Sequence, residues 1–262
     1  MDAGYPHAVA AVVSGVVGLA AGSFAGVVAD RVEREESVVR PASHCTACQA
    51  PLRARDNIPV VSYVLLGGRC HACGVRIPPR DLVIELVTVA VFVLIGWRLP
   101  SVWALPSYLV VATGLVALGA IDLEHHRLPT PVIYATALVA TPLLVLASGM
   151  TDRWSSLAVA FIGAAACFAA FFAVFLAVPK GMGFGDVRLA ALCGGWLGWL
   201  GAGVIPVGIL AAFVLAGLPA IALLAARRAT RKTRLAFGPF LAAGTVVGIC
   251  FGRAMLSSWP HL

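Results

Sequence analysis

The sequence predicts an all-α polytopic membrane protein: about eight transmembrane helices with a small zinc-ribbon-like insert after the first. Three observations predict it. The composition is 60% hydrophobic and 12% charged, with mean hydropathy +0.94, outside the range of ordinary soluble chains. Apolar runs of spanning length, or close to it, recur along most of the chain. Four of the seven cysteines fall in two C-x-x-C pairs within the one sizeable polar stretch.

The runs fall at about residues 7–29, 82–99, 102–121, 131–148, 155–178, 187–200, 203–226 and 235–257, the sixth being short and rich in glycine. Only Asp2 precedes the first run, whereas Arg31 and Arg34 follow it, so a retained span with its N-terminus outside is expected rather than a secretory signal. Counted on that orientation, all 19 Lys and Arg except Arg98, Arg153 and Arg253 belong to inside loops, as the positive-inside rule requires. The formal net charge of +7 thus reports cytoplasmic loops, and no nucleic-acid partner is needed. Three parts follow: residues 1–29 as the first span, 30–81 as a cytoplasmic insert, and 82–262 as the remaining helical domain. On that orientation Asp122 and Asp186 both fall on the cytoplasmic face.

The insert is too small for a robust core without a staple. Cys45, Cys48, Cys70 and Cys73 supply one, because paired C-x-x-C knuckles present four sulfurs to a tetrahedral Zn2+. Two disulfides, or His44 or His71 in place of a cysteine, are the alternatives; a cytoplasmic loop disfavours disulfides. A closed four-cysteine site leaves no position for water, so the metal is expected to be structural. Cys167, Cys193 and Cys250 lie singly in apolar runs, as small hydrophobes do.

Of the twelve acidic residues, only Asp122, Glu124, Asp152 and Asp186 lie beyond residue 85. Asp152 stands beside Arg153 on the outer side, where an exposed ion pair is expected. Glu124 is roughly 200° around a helix from Asp122, so it points away when Asp122 points inward. Asp122 ends an apolar run, and Asp186 closes Gly181-Met182-Gly183-Phe184-Gly185-Asp186, in which Gly183 and Gly185 leave room for a substrate backbone. Two such carboxyls cleave a peptide bond when one is ionised and draws a proton from water while the other, protonated, polarises the carbonyl. On the residues alone the alternatives stay open: Asp186 as a helix cap, Asp122 paired with Arg127, or carboxylates of a transporter or assembly scaffold. No H-E-x-x-H or G-x-S-x-G is present, and the neighbours Glu124-His125-His126 do not share a helix face.

At this point the chain resembles the type IV prepilin peptidases, a family of GxGD aspartyl proteases. The resemblance is carried by Gly22-Ser23-Phe24, the cysteine quartet, Asp56-Asn57-Ile58-Pro59, Gly68-Arg69-Cys70, Arg80 and Glu85. It continues through Ile121-Asp122, Leu128-Pro129, the glycine-rich hexapeptide and Phe237-Gly238-Pro239-Phe240. The chain departs from the family pattern at Gly26, Thr130 and Ala236, where Asn, Asp and Pro are common. The resemblance implies cleavage of prepilin or pseudopilin leaders after Gly by Asp122 and Asp186, for a type IV pilus or type II secretion system. It also implies N-methylation of the new N-terminal residue from S-adenosylmethionine. The methyl-donor residues would then lie in 30–85, with Asp56, Asn57, Arg69, Arg80 and Glu85 as candidates; the alternatives are that these brace the insert, and that a GxGD protease lacks methyl transfer.

Overall fold

The structure, a computed structural model, describes residues 7–38, 40, 43–45, 47–53, 56, 58–178, 181–225 and 236–257. Among these residues there is no strand. Eight long helices stand where the eight apolar runs predict them: α1 (His7–Glu33), α3 (Pro79–Arg98), α4 (Leu105–His125), α5 (Thr130–Met150), α6 (Trp154–Ala177), α7 (Phe184–Leu200), α8 (Val204–Ala225) and α9 (Gly238–Ser257). A one-turn helix, α2 (Val61–Leu65), lies in the insert. Prolines in the first turn start α3, α4 and α5, where the missing N–H would have had no helical partner.

Six of these helices, α1, α4, α5, α6, α8 and α9, are long and apolar enough to cross a membrane. The other two fall short for separate reasons. α3 carries Arg80, Asp81 and Glu85 in its first two turns, and α7 has only 17 residues. α7 is nonetheless the central helix: from Leu192 to Leu200 every residue is buried, as expected of a helix that is apolar all round.

Glycine seams bring helices together backbone to backbone, the means by which spans associate when lipid is as apolar as leucine. Between α1 and α3, a Cβ at Gly22 would stand 2.7 Å from the Glu85 Cα. Between α6 and α7, one at Gly163 would stand 2.7 Å from the Gly194 carbonyl oxygen, and one at Gly198 2.7 Å from that of Val159. Between α8 and α9, one at Gly248 would stand 3.0 Å from the Gly208 Cα.

At the end away from the insert, buried polar bonds join α4, α5 and α7. The Tyr108 hydroxyl donates to the Trp196 carbonyl (2.6 Å), Trp196 Nε1 to Ser107 Oγ (2.9 Å) and Trp199 Nε1 to Ser148 Oγ (2.9 Å). Here one expectation is corrected. No ion pair joins Asp152 to Arg153 among the described residues; the Arg153 guanidinium lies over the Trp199 ring instead, 5.1 Å from its centroid.

The insert consists of two knuckles of the same design. In the first, Cys45 N–H donates to the Ala50 carbonyl (2.9 Å) and Gln49 N–H to that of Cys45 (2.8 Å). In the second, Cys70 N–H donates to the Val75 carbonyl and Gly74 N–H to that of Cys70, both at 2.9 Å. Gln49 and Gly74 both have left-handed backbone, φ 60° and 70°. The repeated turn aims each pair of sulfurs at one point.

Candidate active site

Asp122 lies in the last turn of α4 and is 5% exposed; its Oδ2 accepts the backbone N–H of Gly238, at the start of α9, at 2.8 Å. Asp186 is the third residue of α7 and is 9% exposed. Its Oδ2 accepts the Gly183 N–H at 3.1 Å, while its own N–H donates to the Gly183 carbonyl at 3.1 Å. The capping alternative is therefore met in part: Asp186 closes the start of α7, but from the third position, with Gly183 as the cap. Asp122 is held by a backbone donor, and no ion pair to Arg127 forms among the described residues.

Leu128 brings the two carboxyls to one place. A Cβ at Gly185, next to Asp186, would stand 2.7 Å from the Leu128 Cβ. One at Gly238 would stand 2.8 Å from the Asp122 Oδ2 and 3.0 Å from the Leu128 Cδ2. The chain just after α4 thus fits between the starts of α7 and α9. The space at Gly185 is filled by Leu128 from within the fold, so on that face its smallness serves packing rather than substrate approach. At Gly183 a Cβ would stand 3.4 Å from the Asp186 Oδ2, leaving that residue beside the carboxyl. Arg188 adds a link between the same elements, donating to Thr130 Oγ1 at the start of α5 and lying over the Phe184 ring, 4.3 Å from its centroid. Glu124 points away from Asp122, as the helix period requires, and binds Arg80 Nε at 2.7 Å.

In the sequence Leu128 stands out only beside Asp122 in the motif that carries the resemblance, and Gly238 only as part of a turn. Their signals were the Phe-Gly-Pro-Phe turn and the Leu-Pro pair, which show a turn but not what it touches.

The cysteine sulfurs pass a geometric test for a metal. The four Sγ atoms lie within 4.8 Å of one another, with Cys45 and Cys73 at 3.9 Å. Tetrahedral zinc with sulfur at about 2.3 Å places sulfurs about 3.8 Å apart. All four are free thiols, which sets the disulfide alternative aside. The N–H groups of Cys48 and Ala47 draw the Cys45 thiol down to about 6, towards the thiolate that a metal needs. His71 Nδ1 lies 3.0 Å from Asp56 Oδ2, so it braces the second knuckle.

Of the candidate methyl-donor residues, Asp56, Arg80 and Glu85 line a cavity of about 310 Å³ between α1, the insert and α3. Arg69 is exposed and does not line it; Asn57 lies outside the described residues.

Comparisons with known proteins agree with this layout. Residues 16–99 match the bacterial peptidase A24 N-terminal domain, and residues 109–221 match the type IV leader peptidase family. The prepilin leader peptidase/N-methyltransferase of Pseudomonas aeruginosa is 30% identical over 223 residues, covering 82% of this chain and 73% of that protein. The Klebsiella pneumoniae protein of the same name is 34% identical over 197 residues, 70% and 82% of the two chains. The type 4 prepilin-like proteins leader peptide-processing enzyme of Escherichia coli is 32% identical over 237 residues, 83% and 78%. No solved structure matches the chain. With relatives of this identity aligned along most of both lengths, and both halves matching their domains, the chain belongs to the type IV leader peptidase family.

Proposed function

We propose that the chain is a membrane aspartyl endopeptidase that removes the leader of type IV prepilins or pseudopilins after Gly, at the cytoplasmic face of the bacterial inner membrane, and N-methylates the new N-terminal residue. The observation that carries the reading is the meeting of Asp122 and Asp186 around Leu128. Each carboxyl gives one oxygen to a backbone N–H and keeps the other for the reaction. Two carboxyls brought within a few ångströms around one water do not readily both ionise. The ionised one takes a proton from water as the water attacks the scissile carbonyl, while the protonated one donates to that carbonyl's oxygen; as the tetrahedral diol collapses, the first gives its proton to the leaving amine and the second recovers one from the diol hydroxyl. The N-terminus outside and the active end inside follow from the distribution of Lys and Arg.

Residues 1–29 are the first span, 30–81 the insert and 82–262 the peptidase domain. Cys45, Cys48, Cys70 and Cys73 would hold a structural Zn2+, which stabilises a piece that packing alone cannot. S-adenosylmethionine, bound in the 30–85 region, would supply an electrophilic methyl group.

The test is purified protein incubated with a prepilin and S-adenosylmethionine, with the product's N-terminal mass determined. Cleavage after Gly and a mass gain of one methyl group are expected. Asp122→Ala and Asp186→Ala are each expected to lower cleavage by at least about a hundredfold, since positioned acid–base groups contribute roughly 10²–10⁴. A near-normal rate in either variant overturns the pair.

A further inference from the structure

We propose that the insert rests on the bilayer surface: the outer face of α2 enters the acyl chains, while Arg69 and Arg76 hold the headgroups of anionic phospholipid.

For a segment in water, α2 is inside out. Ser62, Tyr63 and Leu66 turn towards the cavity between α1, the insert and α3, and the Tyr63 hydroxyl donates to the Ile77 carbonyl at 3.4 Å. The opposite face, at i, i+3 and i+4, is wholly apolar. Its Val61, Val64 and Leu65 are 47%, 67% and 80% exposed, and no described residue covers them.

Depth identifies what does. Val60 N–H donates to Glu85 Oε2 at 2.7 Å, and Glu85 is the seventh residue of α3, about 9 Å along it. The Glu85 backbone packs in turn on Gly22 of α1, seven residues, or about 10 Å, short of the end of that helix's apolar run at Ala29. α2 therefore starts level with apolar outer residues of both long helices: Phe24, Leu86 and Val87 are all exposed. Val60 itself has left-handed backbone, φ 61°, which is costly for a β-branched residue. The bond to Glu85 holds this strained turn against α3 at the level of the acyl chains.

Charge points the same way. Arg69 and Arg76 face each other across an antiparallel bridge, between the bonds from Ile77 N–H to the Gly68 carbonyl (2.8 Å) and from Cys70 N–H to the Val75 carbonyl (2.9 Å). Opposed residues that share no hydrogen bond stand closest, and like charges there repel. Both arginines are exposed, and neither forms an ion pair with a described residue. Two adjacent guanidiniums suit a phosphodiester. The chain keeps them near the start of α3, with Arg69 four residues beyond α2 and Arg76 three before Pro79. An anionic leaflet presents a phosphate layer over an apolar one, the order in which the arginines and α2 stand.

The test is the full-length, zinc-loaded protein carrying Leu65→Trp, in lipid nanodiscs, with the wild-type fluorescence subtracted. Lipid brominated near the top of its acyl chains is expected to quench most of the added signal, and acrylamide in the water little of it. Val64→Trp gives a second reading on the same face. In mixed discs of fixed composition, bromine carried on phosphatidylglycerol is expected to quench roughly fivefold more effectively than bromine carried on phosphatidylcholine. Arg69→Gln combined with Arg76→Gln is expected to bring that ratio near one, and inorganic phosphate to leave it unchanged, which separates a lipid headgroup from a free anion. Zinc content and melting temperature report folding of each variant. Quenching by acrylamide and not by bromine at both positions puts the face in water and overturns the proposal. Shielding that appears only when a prepilin is added also overturns it, by making the face a protein-docking surface. A ratio near one with both arginines present, or one that phosphate abolishes, overturns the headgroup assignment.

Discussion

The insert and the helical bundle are held together by opposite means. In the bundle, glycines on facing helices remove side chains so that backbones touch along whole seams, and stability is spread over many small contacts. In the insert, two short turns converge on four sulfurs, and little apolar surface is buried around them. One region loses stability in proportion to what is disturbed; the other depends on a single point. The proposed peptidase pair belongs to the first region, with both aspartates on the long helices of the bundle.

Metal removal separates the two regions most sharply. Chelation, or Cys45→Ser, is expected to unfold the insert and abolish methylation while far-UV circular dichroism keeps nearly all its helical signal; a bundle that melts with the metal breaks the comparison. Acidification acts in the same direction, because protons compete with zinc for the thiolates. The converse variant, Gly198→Leu, forces a side chain into the Val159 backbone. It is expected to destabilise the bundle by about 1–3 kcal/mol or more, read as a lowered melting temperature, with zinc content unchanged. A narrower test is Gly185→Ala, which presses on Leu128 and shifts Asp186 relative to Asp122. Cleavage is expected to fall about 10²-fold, as for a small misplacement of a reacting group, while zinc and melting temperature stay near wild type. The smallest effect belongs to the link between regions. Arg80→Gln removes a partly exposed ion pair with Glu124 and is expected to cost under about 1 kcal/mol of stability.

Much of this is legible in the sequence. Hydrophobic runs locate spans because burial in lipid is decided locally, residue by residue, and each of the eight long helices lies where a run predicted it. The cysteine quartet was equally readable, since two short turns with fixed spacing define a tetrahedral site. The prediction failed at Asp152, where an aromatic face from another helix offered Arg153 a better partner than its sequence neighbour. The glycines of the hexapeptide suggest openings for substrate, although Gly185 makes room for Leu128.

The sequence by itself determined the apolar runs, the clustering of four cysteines and the two aspartates proposed as the catalytic pair, because each is written in composition or short-range spacing. Only the tertiary structure decided that Asp122 is held by Gly238, 116 residues away, and that Leu128 joins both carboxyl neighbourhoods. These depend on which helices become neighbours and in what register. That is settled by shape complementarity along the seams, which no local pattern of residues records.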